Sequence, residues 1–347
     1  MKIKKIKYSS YKIPLYKKLS NSNHTYSFSN GFIIELLISE TNSTKIISAY
    51  GDVSPLDKFS NESIQEINWG IESFIAGIDY NVDYKFSELL QLVEIHCTSV
   101  PSLHFALDTA LYDASGQIQN LPICKIINSN SADVISLSDV YMGQSEIELA
   151  NSNIIKYKLG VKNIQDDVKI INSIVEKNSE VCFRFDANQA YTENDFYKVV
   201  DRLQHINIDY FEEPIKNPSY DSLSEILNQC DVNIAIDESL YNGSNYMNWL
   251  EKGLINSVII KPSIFGGYKK FLNFCLVCNN HNINIILSSA LETGIGNLAT
   301  IHLAASLNNN LFHGLNIHHF FNEFPYVPMY SKNQSTIDLK NIRGLGI

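Results

Sequence analysis

The sequence predicts an α/β protein whose larger part is a closed (β/α)8-type barrel. Eight short apolar runs recur over about 190 residues, with helical stretches such as "QDDVKIINSIVEKN" and "TENDFYKVVDRLQHI" between them, and that alternation is the rhythm of a parallel α/β barrel. The runs are "VISLSDV", "IIKYKLG", "VCFRFDAN", "IDYFEEP", "NIAIDES", "SVIIKPS", "NIILSSALE" and "LFHGLNI". Nearly all end in a charged or polar residue at the same phase. From Lys158 to Asp186, Glu212, Asp237 and Lys261 the steps are 28, 26, 25 and 24 residues, each about one βα unit. A doubly wound open sheet is the alternative, but no G-x-G-x-x-G or Walker-type loop opens any of these helices.

Ahead of the barrel, "GFIIELLIS" (31–39) and "KIISAYGDVSP" (45–55) read as a strand pair turning at Asn42 and Ser43. Helices follow in "NESIQEINWGIESFIAG" and "YKFSELLQLVEI". A third begins after Pro101, with Phe105, Leu107, Leu111 and Tyr112 at its apolar positions and its end expected near Gly116. Strands followed by helices make a small α+β unit of about 120 residues.

The bulk numbers exclude several classes. A chain of 347 residues supports one large domain or two moderate ones. With 45% apolar residues, 18% charged residues and a net charge of −10, it has no basic surplus to neutralise nucleic-acid phosphates. The N-terminus "MKIKKIKYSSYKIPLY" is basic but is followed by no apolar core of a signal peptide. No run reaches the ~18–20 apolar residues of a membrane span, so a cytoplasmic protein is expected. The six cysteines, Cys97, Cys124, Cys182, Cys230, Cys275 and Cys278, lie in apolar contexts and read as reduced thiols. The CxxC of Cys275 and Cys278 falls on the apolar stripe of a helix and reads as core packing.

The polar strand ends carry the chemistry. Lys156 and Lys158 sit two apart, so in a strand they share a face. An edge strand would leave them in water, whereas a barrel collects them with the other strand ends at its C-terminal mouth. There Asp186, Glu212 and Asp237 would repel one another, and a hard divalent cation, Mg²⁺, resolves this. Lys158 and Lys261 come from opposite sides of the ring. Burial, the cation and (for Lys158) its neighbour Lys156 should lower their pKa, leaving a neutral amine to act as base.

At these residues the chain resembles the enolase superfamily, in its muconate-lactonizing-enzyme-like subgroup. The resemblance rests on "KYK" (156–158), "RFDAN" (184–188), "EEP" (212–214), "DES" (237–239) and the lysine of "IIKPSIFGG". Outside the barrel, "ALDTALYDASGQIQNLPI" resembles the family's cap helix and "YGDVSP" its mobile loop. The resemblance implies a capping domain over 1–122, a modified TIM barrel over 123–320 and a C-terminal segment over 321–347 that packs back on the cap. It implies one Mg²⁺ held by Asp186, Glu212 and Asp237, acid/base catalysis by Lys158 and Lys261, and substrate contacts from Lys156 and Glu292. Asn188 and Glu213 become supports behind the ligands. The shared chemistry is removal of a proton α to a carboxylate, giving a stabilised enediolate.

Two opposed lysines allow a proton to leave one face and return on the other. The resemblance therefore implies an isomerase, most of all an epimerase of Ala-Glu-like dipeptides. The family alternatives are o-succinylbenzoate synthase, N-acylamino-acid racemase and muconate-type cycloisomerase; a non-catalytic ligand-binding barrel is the rival from another class. Dipeptide epimerases carry Asp-x-Asp after the eighth strand, where this chain has Asn316 and His318. His318 and His319 read equally as solvent-facing loop residues. The family's first cap loop corresponds to 16–31, and its Lys17, Lys18 and His24 would favour an anionic distal group. The expected partner is a small carboxylate substrate, with homo-oligomerisation left open.

Overall fold

The apolar runs form parallel strands in the expected order. The computed structural model describes residues 1–20, 25–41, 43–57, 59–141, 152–243, 245–321, 326 and 334–347. The N-terminal part is a three-stranded antiparallel sheet of β1 (Lys2–Ser20), β2 (Thr25–Ser39) and β3 (Ile46–Val53). Helices α1 (Ile64–Gly77), α2 (Phe86–Cys97) and α3 (Pro101–Gln119) cover it. A capping box at Ser63 and Glu66 fixes the start of α1.

Three details differ from the sequence expectation. Strand β1 was not expected at all. The stretch 16–31, expected as a loop, lies in the β1–β2 hairpin on either side of residues 21–24, which are outside the described residues. Helix α3 runs past Gly116 to Gln119, where Asn120 adopts the left-handed conformation with φ 56°. Gly116 serves a different purpose: a Cβ there would stand 2.7 Å from Gly344 Cα.

After α4 (Ile123–Ile127), the first barrel run is broken at Ser138 into β4 (Val134–Leu137) and β5 (Asp139–Tyr141). There follow β6 (Ile154–Lys158), α5 (Ile164–Lys177), β7 (Cys182–Asp186), α6 (Glu193–Leu203), β8 (Ile208–Glu212), α7 (Tyr220–Gln229) and β9 (Ile234–Ile236). The chain continues through α8 (Tyr246–Glu251), β10 (Ser257–Ile260), α9 (Pro262–Phe265), α10 (Tyr268–Asn280), β11 (Asn284–Leu287), α11 (Gly294–Ser306), β12 (Phe312–His313) and β13 (Thr336–Asp338). Strands β5 to β11 pair in sequence as one parallel sheet. A parallel bridge from Ser288 to Gly314 joins β11 to the β12 run, and β12 pairs in parallel with β4. The ring is closed.

Strand periodicity then sorts the side chains. Phe183, Phe185, Phe211, Ile234, Ile236, Val258 and Ile260 enter the large core between strands and helices. The alternate residues Tyr210, Ala235, Ile259 and Ile286 fill the barrel interior. Arg184 crosses below the mouth, donating to Asp209 at 2.7 Å and to the Phe312 carbonyl at 2.6 Å. All six cysteines are free, with Cys275 and Cys278 buried, and burial pushes the Cys278 thiol up to about 12. That agrees with packing rather than redox chemistry. No helix among the described residues is long and apolar enough to cross a membrane.

The C-terminus returns to the first helices. Leu345 N donates to Asp113 Oδ1 at 2.8 Å, and Tyr50 N donates to Asp113 Oδ2 at 3.1 Å. One buried carboxylate thus ties α3, β3 and the last residues together. Asp113→Ala strands both amides, and the expected cost is about 2–4 kcal/mol of stability in denaturant titration, with faster hydrogen exchange at Leu345.

Candidate active site

Each polar strand end lies two residues beyond an inward-facing interior position or directly after its strand, so period two carries it to the mouth of the barrel. Asp186, Glu212 and Asp237 are all nearly inaccessible. They belong to the consecutive runs β7, β8 and β9, and Asp186 lies in register with Glu212. Lys158 ends β6 and Lys261 follows β10, four strands apart in a ring of eight.

The lysines and carboxylates neutralise one another. Lys156 Nζ donates to Glu212 Oε1 at 2.8 Å and Oε2 at 2.7 Å, and pairs with Asp186 Oδ2 at 2.9 Å. Lys158 Nζ donates to Asn188 Oδ1 at 2.9 Å and lies 3.6 Å from Asp186 Oδ2. Lys261 Nζ pairs with Asp237 Oδ2. Burial alone would lower the Lys156 pKa, but Asp186 and Glu212 outweigh it and hold the ammonium well above its ordinary value. For Asp186, burial pushes upward and the neighbouring Lys156 and Lys158 prevail, taking it to about 2. Lys156 is therefore committed to carboxylates and does not stand free beside Lys158.

The supports are equally specific. Glu213 accepts from the amides of Asp237 at 2.9 Å and Ser239 at 2.7 Å, from Ser239 Oγ at 2.8 Å and from Gln189 Nε2 at 2.8 Å. Asn188 Nδ2 donates to Glu238 Oε1 at 2.7 Å. Asn188, Gln189 and Glu213 hold left-handed backbone, with φ 43°, 59° and 44°. Such strained conformations in non-glycine residues cluster at functional sites. Burial and proximity to Asp237 push the pKa of Glu238 well above the ordinary range. Its place beside Asp237 in "DES" is the sequence signal for it.

A cavity of about 140 Å³ opens above these groups, with Lys156, Lys158, Asp186, Asn188, Asp237 and Lys261 in its floor. Leu56 and Phe59 from the chain after β3, Leu19 and Tyr26 from the β1–β2 hairpin, and Leu291, Ile317 and Phe320 from the last barrel turns supply its walls. Asn316 and His318 do not line it. Asn316 Nδ2 instead reaches Asp139 Oδ1 at 3.4 Å, and His318 is buried rather than solvent-facing. Lys17 and Lys18 lie in β1, but their side chains, like the whole of His24, fall outside the described residues. Glu292 is behind the wall, bonded to Ser289 Oγ.

The donor set fits Mg²⁺ in kind. Three carboxylates offer hard oxygen ligands, and Asp237 Oδ1 is buried with no hydrogen-bond partner. As the side chains stand, no group of three or more His, Cys, Asp or Glu among the described residues is close enough to hold an ion.

A closed parallel barrel with carboxylates on three successive strand ends, flanked by opposed lysines, is the architecture of one enzyme family. The chain belongs to the Enolase C-terminal domain-like family, whose model matches residues 145–347. Its relatives include epimerases, cycloisomerases and an o-succinylbenzoate synthase. It is 26% identical to the hydrophobic dipeptide epimerase of Enterococcus faecalis over 320 residues, covering 89% of this chain and 88% of that protein. It is 21% identical to the L-Ala-D/L-Glu epimerase of Clostridium acetobutylicum over 318 residues, covering 88% and 87%. The crystal structure of the Enterococcus faecalis V583 dipeptide epimerase complexed with Mg and L-Leu-L-Tyr matches with a TM-score of 0.85 at 23% identity, covering 100% and 99%. That last likeness is one of fold.

Burial gives the site wall a pH dependence. It raises Glu292 from 4.5 to about 7, so the folded chain keeps a proton that the unfolded chain loses. Stability should therefore fall as pH rises from about 4.5 to about 7 and then level off. Glu292→Gln retains an acceptor for Ser289 and removes the charge. Thermal unfolding should show little change near pH 4.5 and a gain of a few degrees at pH 8.

Proposed function

We propose that this protein removes and returns a proton at the carbon α to a carboxylate, and that it epimerises a dipeptide. The observation that carries this reading is the placement of Lys158 and Lys261 on opposite sides of one cavity, with Asp186 and Asp237 beside them in its floor. One amine takes the proton from one face and the other ammonium delivers a proton to the opposite face. Asp186, Glu212 and Asp237 would hold Mg²⁺, which supplies positive charge where the substrate carboxylate gains electron density. Asn188 orients Lys158, and Glu213 fixes the backbone that presents Asp237. Lys156 balances Glu212 and Asp186. The cap over 1–122, the barrel over 123–320 and the returning segment 321–347 form part of the same proposal, supported by the bonds between Leu121, Ile123 and Gly344.

The walls speak for an apolar side chain on the substrate. Leu19, Tyr26, Leu56, Phe59, Leu291 and Phe320 offer no charge to a distal carboxylate or ammonium. This favours hydrophobic dipeptides over the Ala-Glu-like ones that Lys17, Lys18 and His24 would attract. The name of the Enterococcus faecalis relative agrees with it. In a screened dipeptide library, apolar second residues should exceed Ala-Glu by roughly tenfold or more in kcat/KM; Ala-Glu as the best substrate would refute this specificity.

The two-base scheme has its own test. In D₂O the native protein should place deuterium at the α-carbon with inversion. Lys158→Ala and Lys261→Ala should each lower epimerisation by at least about a hundredfold, while each still exchanges the α-proton of one isomer. Complete loss of exchange for both isomers in both variants would leave the scheme unsupported.

A further inference from the structure

The two lysines sit in unlike surroundings. Lys158 has a side chain 20% exposed and a polar partner in Asn188. The Lys261 side chain is 8% exposed, and its Nζ lies 4.3 Å from the centroid of the Phe59 ring. Among the described residues, no aromatic ring covers Lys158. Phe59 belongs to the cap, whereas Lys261 belongs to the barrel.

The ring is held from two sides. Its own turn is closed by Phe59 N donating to the Leu56 carbonyl at 3.0 Å, Ser60 N donating to the same carbonyl at 2.8 Å, and Leu56 N donating to Ser60 Oγ at 3.0 Å. On its other side, Phe59 meets Tyr241 edge to face with ring centroids 6.2 Å apart. The Tyr241 hydroxyl accepts from Lys261 N at 3.0 Å. Tyr241 thus fixes the backbone of Lys261 while Phe59 covers its side chain. An aromatic face attracts an ammonium group electrostatically, and it displaces water from the side it occupies. The ammonium is left facing Asp237 and the cavity.

We infer that Phe59 is a positioning residue for Lys261 alone, so that the cap controls proton transfer on one face of the substrate and leaves the other to Lys158. The inference rests on the two-base reading above. It makes the reaction lopsided: one half depends on the cap being seated, and the other does not.

The test uses the full chain with Mg²⁺ in D₂O, and L-Ala-L-Phe and L-Ala-D-Phe as probes. Lys158→Ala identifies the isomer whose α-proton Lys261 removes. Phe59→Ala should slow exchange of that isomer about tenfold while the other stays within about twofold, and Phe59→Tyr should restore the rate. Equal loss on both isomers would overturn the inference. Reductive methylation read by mass spectrometry needs no substrate. In Phe59→Ala, Lys261 should be modified several-fold faster relative to Lys158, and an unchanged ratio would also overturn the inference. If native protein exchanges neither isomer, the proton-transfer reading fails, while the methylation ratio still decides whether Phe59 covers Lys261.

Discussion

Everything at the mouth of this barrel follows from one electrostatic requirement: charges taken out of water must be matched on the spot. Asp186, Glu212 and Asp237 pair with Lys156, Lys158 and Lys261 above an interior layer of Tyr210, Ala235, Ile259 and Ile286. Breaking a buried ion pair by removing one partner costs about 3–5 kcal/mol, so each group holds the others in place. The same economy accounts for the strained backbone at Asn188 and Glu213. Their left-handed turns bring Asn188 under Lys158 and Glu213 against the amides of Asp237 and Ser239.

Much of the barrel and its polar rim was legible in the sequence. Strand periodicity is two, and the residues that end each run keep that phase. Asp186, Glu212, Asp237 and Lys261 could therefore be put on one rim before any coordinates. Lys156 was legible as a member of the cluster but not in its pairing, because spacing says which face a lysine takes and not which carboxylate its four-carbon stem reaches. Asn316 and His318 were placed by correspondence with other chains. Their own surroundings draw Asn316 toward Asp139 and bury His318.

The cap was harder to read. Strand β1, "KIKKIKYSSYKIPLYKKLS", is crowded with lysines and shows no sustained apolar alternation. It is a strand because β2 supplies a pairing edge, and that is a tertiary cause. Its pairing shifts register after Pro14, which cannot donate to the ladder. The end of α3 was misread for a related reason. Glycine is the usual stop signal, but Gly116 is small so that Gly344 can approach, and Asn120 makes the turn. The apolar wall of the cavity was invisible in principle. Leu56 and Phe59 become neighbours of Lys261 only once cap and barrel have docked.

The alternation of inward and outward residues along the barrel strands has an evolutionary side. Losing or gaining one residue within β7 would turn Asp186 toward the helices and bring an aromatic ring into the mouth. The strands can therefore drift by replacement but scarcely by change of length. The turn that carries Leu56 and Phe59 has no such phase to keep. Lineages descending from a common ancestor would be free to change its length and its other side chains, so long as a ring still lies over Lys261.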